Sequence, residues 1–299
     1  MKIAKTFFSL LSESFTEFLN DKGLKLSASL SYYTIFSLAP MLLVIISTLS
    51  FFMEKSTIQG ELFGQLQGLV GPAATQQLQE IIQNAQVSNK STLASAIGIA
   101  TLLIGATGVF AEMQDSINYI WSIKSKPEKG WLAYLKNRLL SFSLILTLGF
   151  LLIVSLGANA IVEVLSSELE AYFSEASVIF FYLMNLALVL TVITALFTVI
   201  FKVLPDGELR WKECMVGAGF TAVLFLLGKF GISFYLGKSN LGATYGASAS
   251  IIILLTWIYY SSIILYFGAE FTKAYAKLDG VAIAPKKHAV LIVRNEVDQ

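Results

Sequence analysis

The sequence predicts an all-α polytopic membrane protein: a bundle of six transmembrane helices, with an N-terminal interfacial helix and an outer helical hairpin. Three observations predict it. Six apolar stretches lie near residues 31–53, 92–111, 139–162, 177–201, 214–237 and 247–270. Each is long enough to cross a hydrocarbon core, which takes about 20 residues of helix. Lys229 is the one formal charge in their interior. Finally, 56% of the chain is hydrophobic and only 14% charged, whereas a soluble domain has about 25% charged residues. The expected organisation is a single membrane domain over 1–278, followed by a tail over 279–299.

The elements follow in order. Residues 3–19 place Ile3, Phe7, Leu10, Leu11, Phe15 and Phe18 on one helical face, with Lys2, Lys5, Glu13 and Glu17 mostly off it. That pattern predicts a helix lying in the plane of the membrane interface. The first span holds Pro40, the one proline inside a span. Proline removes a bond from the helical ladder, so Pro40 marks a kink and a candidate hinge. The first connection, 54–91, reads as two amphipathic helices separated by Gly71-Pro72. One stripe is Ile58, Leu62, Leu66 and Leu69, and the other is Leu78, Ile81, Ile82 and Ala85. The second span pairs Ala94 with Gly98 and Thr101 with Gly105, and the fifth carries Gly217, Gly219, Gly228 and Gly231. Small residues let membrane helices approach closely. No periodic repeat and no inverted halves are visible, so the usual transporter signature is missing.

Charge sets the orientation. With six spans both termini share a side. That side then carries Lys2, Lys5, Lys22 and Lys25, Lys124 to Arg138 in the second connection, Lys202, Arg210 and Lys212 in the fourth, and the basic residues of the tail. Lys55, Lys90 and Lys238 remain for the other side. Positive residues favour the cytoplasm, so both termini are expected there, in an inner (plasma) membrane. Cys214 is alone, which excludes an intrachain disulfide or a cysteine-based metal cluster. His288 is also alone, in the tail. The first apolar run begins near residue 26 and is too long for the core of a cleavable signal.

Two polar groups stand out. Lys229 lies about two turns from the outer end of the fifth span; Asn185, Asn159 and Ser47 fall at similar depth on the fourth, third and first spans. These groups either line an outer polar cavity, or Lys229 simply snorkels to the interface. At the inner rim, Glu112, Asp115 and Asn118 recur every three residues at the end of the second span, and Glu270 closes the sixth. Carboxylates there could relay protons, coordinate a cation, or pair with Arg138 and Lys202; ion pairing is the expected role. Carboxylates without His or Cys are a weak catalytic signal. No phosphate-cradling loop, nucleophile elbow or zinc spacing is present.

Four segments carry a family resemblance: SASLSYYTIFSLAPMLLVI at 27–45, FAEMQDSINYIW at 110–121, LPDGELRWKECMVGAGFTAVLFLLGKFGISFYL at 204–236 and TYGASASIIILLTWIYYSSIILYFGAEF at 244–271. Together they resemble the YihY/virulence factor BrkB family of bacterial inner-membrane proteins, historically labelled ribonuclease BN-like, over about residues 5–277. The resemblance implies a six-helix inner-membrane protein of the cell envelope. It supplies no catalytic residues, and the nuclease label is widely regarded as a misassignment.

The sequence is compatible with three functions. A translocator of a lipid, another amphiphile or an ion fits the helical architecture, the Pro40 break and the outer polar group. A non-transporting envelope scaffold fits the missing repeats and the scarcity of buried charge. An enzyme fits least, because positive-inside topology already accounts for the basic residues that a nucleic-acid surface would need. Membrane lipids are the expected partners. No nucleic acid, cofactor or metal is expected.

Overall fold

The computed structural model describes residues 2–51, 54–70, 75–76, 78–80, 82–83, 108–126, 176–238 and 249–293. Within them, helices run over α1 (Lys2–Asn20), α2 (Gly23–Leu49), α3 (Lys55–Val70), α4 (Ala176–Val203), α5 (Trp211–Lys238) and α6 (Ala249–Leu278). Residues 108–120 are helical as well. The protein is mostly helical. Helices through Leu186–Val203, Trp211–Lys229 and Ile251–Leu278 are long and apolar enough to cross a membrane, and α2 makes a fourth if its limbs form one span. The predicted span at 139–162 lies outside the described residues, as does 92–111 up to residue 107.

The limbs of α2, Gly23–Leu38 and Met41–Ser47, meet at 48°. Pro40 stands in the break, and proline has no N–H to give the ladder. α2 begins eight residues before the predicted span, and α6 runs eight residues past its predicted end. Both extensions are amphipathic helix beyond the purely apolar stretch, carrying Lys25 at one end and Lys273 and Lys277 at the other.

α4 packs on α5, α5 on α6, and α6 on both α2 and α1. An unsatisfied polar group is costly in lipid. Thr198, Thr221, Ser262 and Thr272 each donate to the carbonyl one turn back, at 2.7–2.8 Å. The predicted glycine contacts divide by position. A Cβ on Gly217 would collide with Thr272, and one on Gly228 with Tyr260, so both mark the α5–α6 seam. Gly219 faces Thr194 of α4, whereas Gly231 faces open space. Of the predicted hairpin, α3 buries Ile58 and Leu62, and the helical residues near 78–83 bury Leu78 and Ile82. A cavity of about 320 Å³ between them is lined by Gln59, Phe63, Gln67, Gln79, Ile82 and Gln83.

The apolar face predicted for α1 is only partly covered by the described residues. Leu10, Ser14 and Phe18 are buried, with Phe18 edge-on to Phe267 of α6. Phe8 and Phe15, beside that docked edge, lie exposed. The helix docks through one edge of its apolar face and leaves the neighbouring phenylalanines uncovered by the described residues.

One end of the bundle is closed by two small antiparallel sheets. β1 (Ile123–Ser125) pairs with β4 (Ala289–Leu291), and β2 (Gly207–Glu208) with β3 (Ala284–Pro285). Residues read from sequence as a tail therefore fold back onto the connections that follow residue 120 and α4. The return begins at Gly280, whose φ of +70° ends α6. Gly280 N–H reaches Lys277 O at 3.1 Å and Val281 N–H reaches Ala276 O at 2.8 Å, the paired bonds of a left-handed helix cap.

Candidate functional site

The sheet end gathers the polar groups. Asp206 sits in the turn between α4 and β2 and is 4% exposed. The helical residues Gln114 and Asn118, one turn apart, donate to its two oxygens at 3.0 and 2.8 Å. Ser125 of β1 also donates to it, and His288 Nε2 lies 2.9 Å from Oδ1. Asp206 N–H donates in turn to Asn118 Oδ1 at 2.7 Å. Burial alone would push the Asp206 carboxyl up. The hydrogen bonds from Ser125, His288 and Asn118, together with the charge on His288, outweigh that and hold it below the usual carboxylate range.

A carboxylate offers about four acceptor positions. Four side chains occupy them here, so Asp206 has nothing spare for a metal or a substrate. Its role is to tie the second connection, the fourth connection and the returning C-terminal segment into one knot. Lys286 reinforces the knot: its ammonium donates to Pro205 O at 2.6 Å and Val203 O at 3.2 Å, capping the carbonyl end of α4.

The predicted inner rim divides between this knot and a second cluster. Asn118 joins Asp206. Asp115 stays close to it: desolvation, then the negative charges of Glu112 and Asp206, push its carboxyl above the ordinary value. Glu270 belongs to the other cluster, 1% exposed on α6, with Lys273 Nζ at 3.4 Å. Lys273 donates to Ile120 O at 2.8 Å and also faces Asp21 at 3.5 Å and Glu17 at 3.9 Å. The expected partner Lys202 is engaged elsewhere. Its ammonium donates to Leu209 O and stands 5.7 Å from the Trp211 ring centre. Arg138 lies outside the described residues. Between the clusters, Trp121 Nε1–H donates to Ala269 O at 3.1 Å.

Of the outer group, Lys229 is half-buried on α5, and among the described residues no carboxylate lies within ion-pair distance of it. Ser47 is exposed on the short limb of α2. Asn185 falls within α4, and Asn159 lies outside the described residues. Among the described residues, no group of three His, Cys, Asp or Glu side chains could hold a metal ion. Sequence reasoning passed over Asp206, His288 and Asp21. Pro205-Asp206-Gly207 does read as a turn. Its partners Asn118 and His288 lie 88 and 82 positions away, beyond any local pattern.

The profile of the family described as virulence factor BrkB matches residues 14–290. A UPF0761 membrane protein of Pseudoalteromonas atlantica is 29% identical over 256 residues, covering 84% of this chain and 80% of its own. One of Vibrio vulnificus is 31% identical over 255 residues, covering 82% and 75%. One of Haemophilus influenzae is 29% identical over 272 residues, covering 89% and 93%. No solved structure matches. The shared region takes in the bent helix, the glycine–threonine seam and the knot around Asp206, and the chain belongs to the virulence factor BrkB family of membrane proteins.

Proposed function

We propose that this protein is a translocator of the bacterial inner membrane, moving a lipid, another amphiphile or an ion linked to the cell envelope. Lys229 carries the reading. A lysine at the centre of a membrane helix costs roughly 2–3 kcal/mol on insertion scales. Here it is half-buried without a described counter-carboxylate, which suits an anionic group brought by a substrate, such as a lipid phosphate. The bent α2 is the element able to change shape, since its limbs already meet at 48°. In this reading the chain has six spans and cytoplasmic termini, and Phe8 and Phe15 of α1, 73% and 56% exposed, rest in the interface. Membrane lipids are its partners. It has no catalytic centre and no nuclease activity.

A second reading, an envelope scaffold that transports nothing, is favoured by the Asp206 knot, which fixes several connections to one another. Reconstitution separates the two. In proteoliposomes carrying a headgroup-labelled phospholipid, an impermeant reductant should bleach inner-leaflet label only when a lipid translocator is present. Bleaching equal to that of protein-free vesicles, with no ion flux in the same preparation, would leave the scaffold.

A further inference from the structure

The junction of α1 and α6 holds two buried carboxyl groups around one ammonium. Asp21 follows the last residue of α1, and Glu270 lies on the inward face of α6; their side chains are 8% and 1% exposed. Lys273 Nζ stands 3.5 Å from Asp21 Oδ2 and 3.4 Å from Glu270 Oε2, so both carboxyls crowd one ammonium. A proton shared by the pair relieves the repulsion between them.

The surroundings leave the pair short of positive charge and of donors. Glu270 Oε1 is buried, and no N–H or O–H donor of the described structure reaches it. Lys273 is the cation within reach of both groups, and its ammonium is divided. It donates to Ile120 O and faces Glu17 as well as Asp21 and Glu270. Lys277, the next cation along α6, is engaged by Glu13 at 2.7 Å. One ammonium among three carboxyls leaves excess negative charge, and two of those carboxyls are buried. Like charges that share such a site do not both ionise readily. From the helical residues 108–120 and the turn that follows, the junction receives a carbonyl and the Trp121 ring, with no further charge.

We propose that Asp21 and Glu270 form a proton-binding site, which takes up and releases one proton at the junction of α1, α6 and the turn after residue 120, with Lys273 as its fixed counter-charge. The site is independent of whether the protein moves a substrate. As a pair it titrates jointly, so the proton belongs to neither residue alone.

Infrared difference spectroscopy of the purified full-length protein during a pH titration tests this. The carbonyl stretch of a protonated carboxylic acid should persist at about pH 6, where exposed carboxyls are ionised, and should vanish on further alkalinisation. Glu270→Gln keeps the shape and should remove the band. Asp21→Asn should shift or remove it, and serves as the readout if Glu270→Gln does not run as a single gel-filtration peak. Lys273→Met should move the loss of the band to higher pH. A wild-type spectrum without the band at about pH 6, or a band unchanged in both carboxyl variants, would overturn the proposal.

Discussion

Thr272 of α6 stands where a side chain on Gly217 of α5 would have to go. The arrangement is reciprocal, because Thr221 of α5 stands in the same relation to Gly268 of α6. Each threonine also donates to the carbonyl of the glycine one turn earlier on its own helix, at 2.7 Å. Two Gly-x-x-x-Thr stretches thus clasp antiparallel helices. The hydroxyls are satisfied within their own helix, and the glycines make room for them. Small residues at such a seam replace the hydrophobic drive that lipid cannot supply.

A methyl group is enough to disturb this seam. Gly217→Ala and Gly268→Ala are expected to destabilise the protein by about 1–3 kcal/mol, the usual cost of overpacking. Gly231→Ala is the control, since nothing lies within 4 Å of its added Cβ. It should be neutral or gain up to about 1 kcal/mol from helix propensity. Thermal unfolding in detergent, followed by circular dichroism, measures all three.

The knot at Asp206 predicts a pH dependence with a definite sign. Its folded-state value is depressed, so the stabilisation is fully present above the unfolded value near 3.9. It is lost as pH falls through the lower folded value. Asp206→Asn preserves size but turns one acceptor into a donor facing other donors. The expected loss is about 1.5–3 kcal/mol at neutral pH, the range for hydrogen bonds to a charged group. Unfolding midpoints taken from about pH 7 to pH 3 should slope less steeply in the variant than in the wild type.

Sequence periodicity made the long helices legible because lipid demands unbroken apolar length, and the Pro40 bend was legible because proline has a fixed local effect. The fifth-span glycines gave the seam, although their partners on α6 could not be paired from one strand of sequence. The clusters at the sheet end were less legible. Asn118 and Glu270 both read as inner-rim residues, yet they serve different partners, since Asn118 turns to Asp206 and Glu270 to Lys273. Side-chain choice of that kind depends on where a returning chain passes. His288 looked isolated because the strands that carry it back have only two or three residues each, too short for an alternating pattern.

Two helix ends provide a paired test of backbone strain. Gly280 adopts φ +70° at the end of α6, whereas Ser122 adopts φ +56° after the helical residues 108–120. A side chain in that left-handed region costs roughly 1–2 kcal/mol. Gly280→Ala should therefore lower stability by about that much, with Val281 less firmly placed for the return into β3. Ser122→Gly should raise stability, by less than the full amount because glycine also loosens the unfolded chain. Equal and opposite shifts are not expected, but the two signs are, and denaturant titration reads them.

Orientation is tested by accessibility. Single cysteines replacing Gly60, Glu170 and Asn240, in a Cys214→Ser background, should react with an impermeant maleimide added to intact spheroplasts. A cysteine at Glu128 should react only after lysis. The asymmetry of Lys and Arg between the two sets of connections is the basis for this. Labelling of position 128 from outside would invert the assignment, and with it the compartment of the Asp206 knot.

Lys229 separates transport from scaffolding at the level of one residue. Lys229→Met removes the ammonium and keeps an apolar stem, so insertion and folding should be preserved or improved in the membrane. If the ammonium receives an anionic substrate group, the variant should fail in a cell-envelope complementation assay at normal expression. Lys229→Arg keeps the charge in a planar, forked form and should retain partial function. A lysine that merely extends to the interface would make both substitutions nearly silent. Full complementation by Lys229→Met would therefore remove the main support for translocation and leave the scaffold reading in its place.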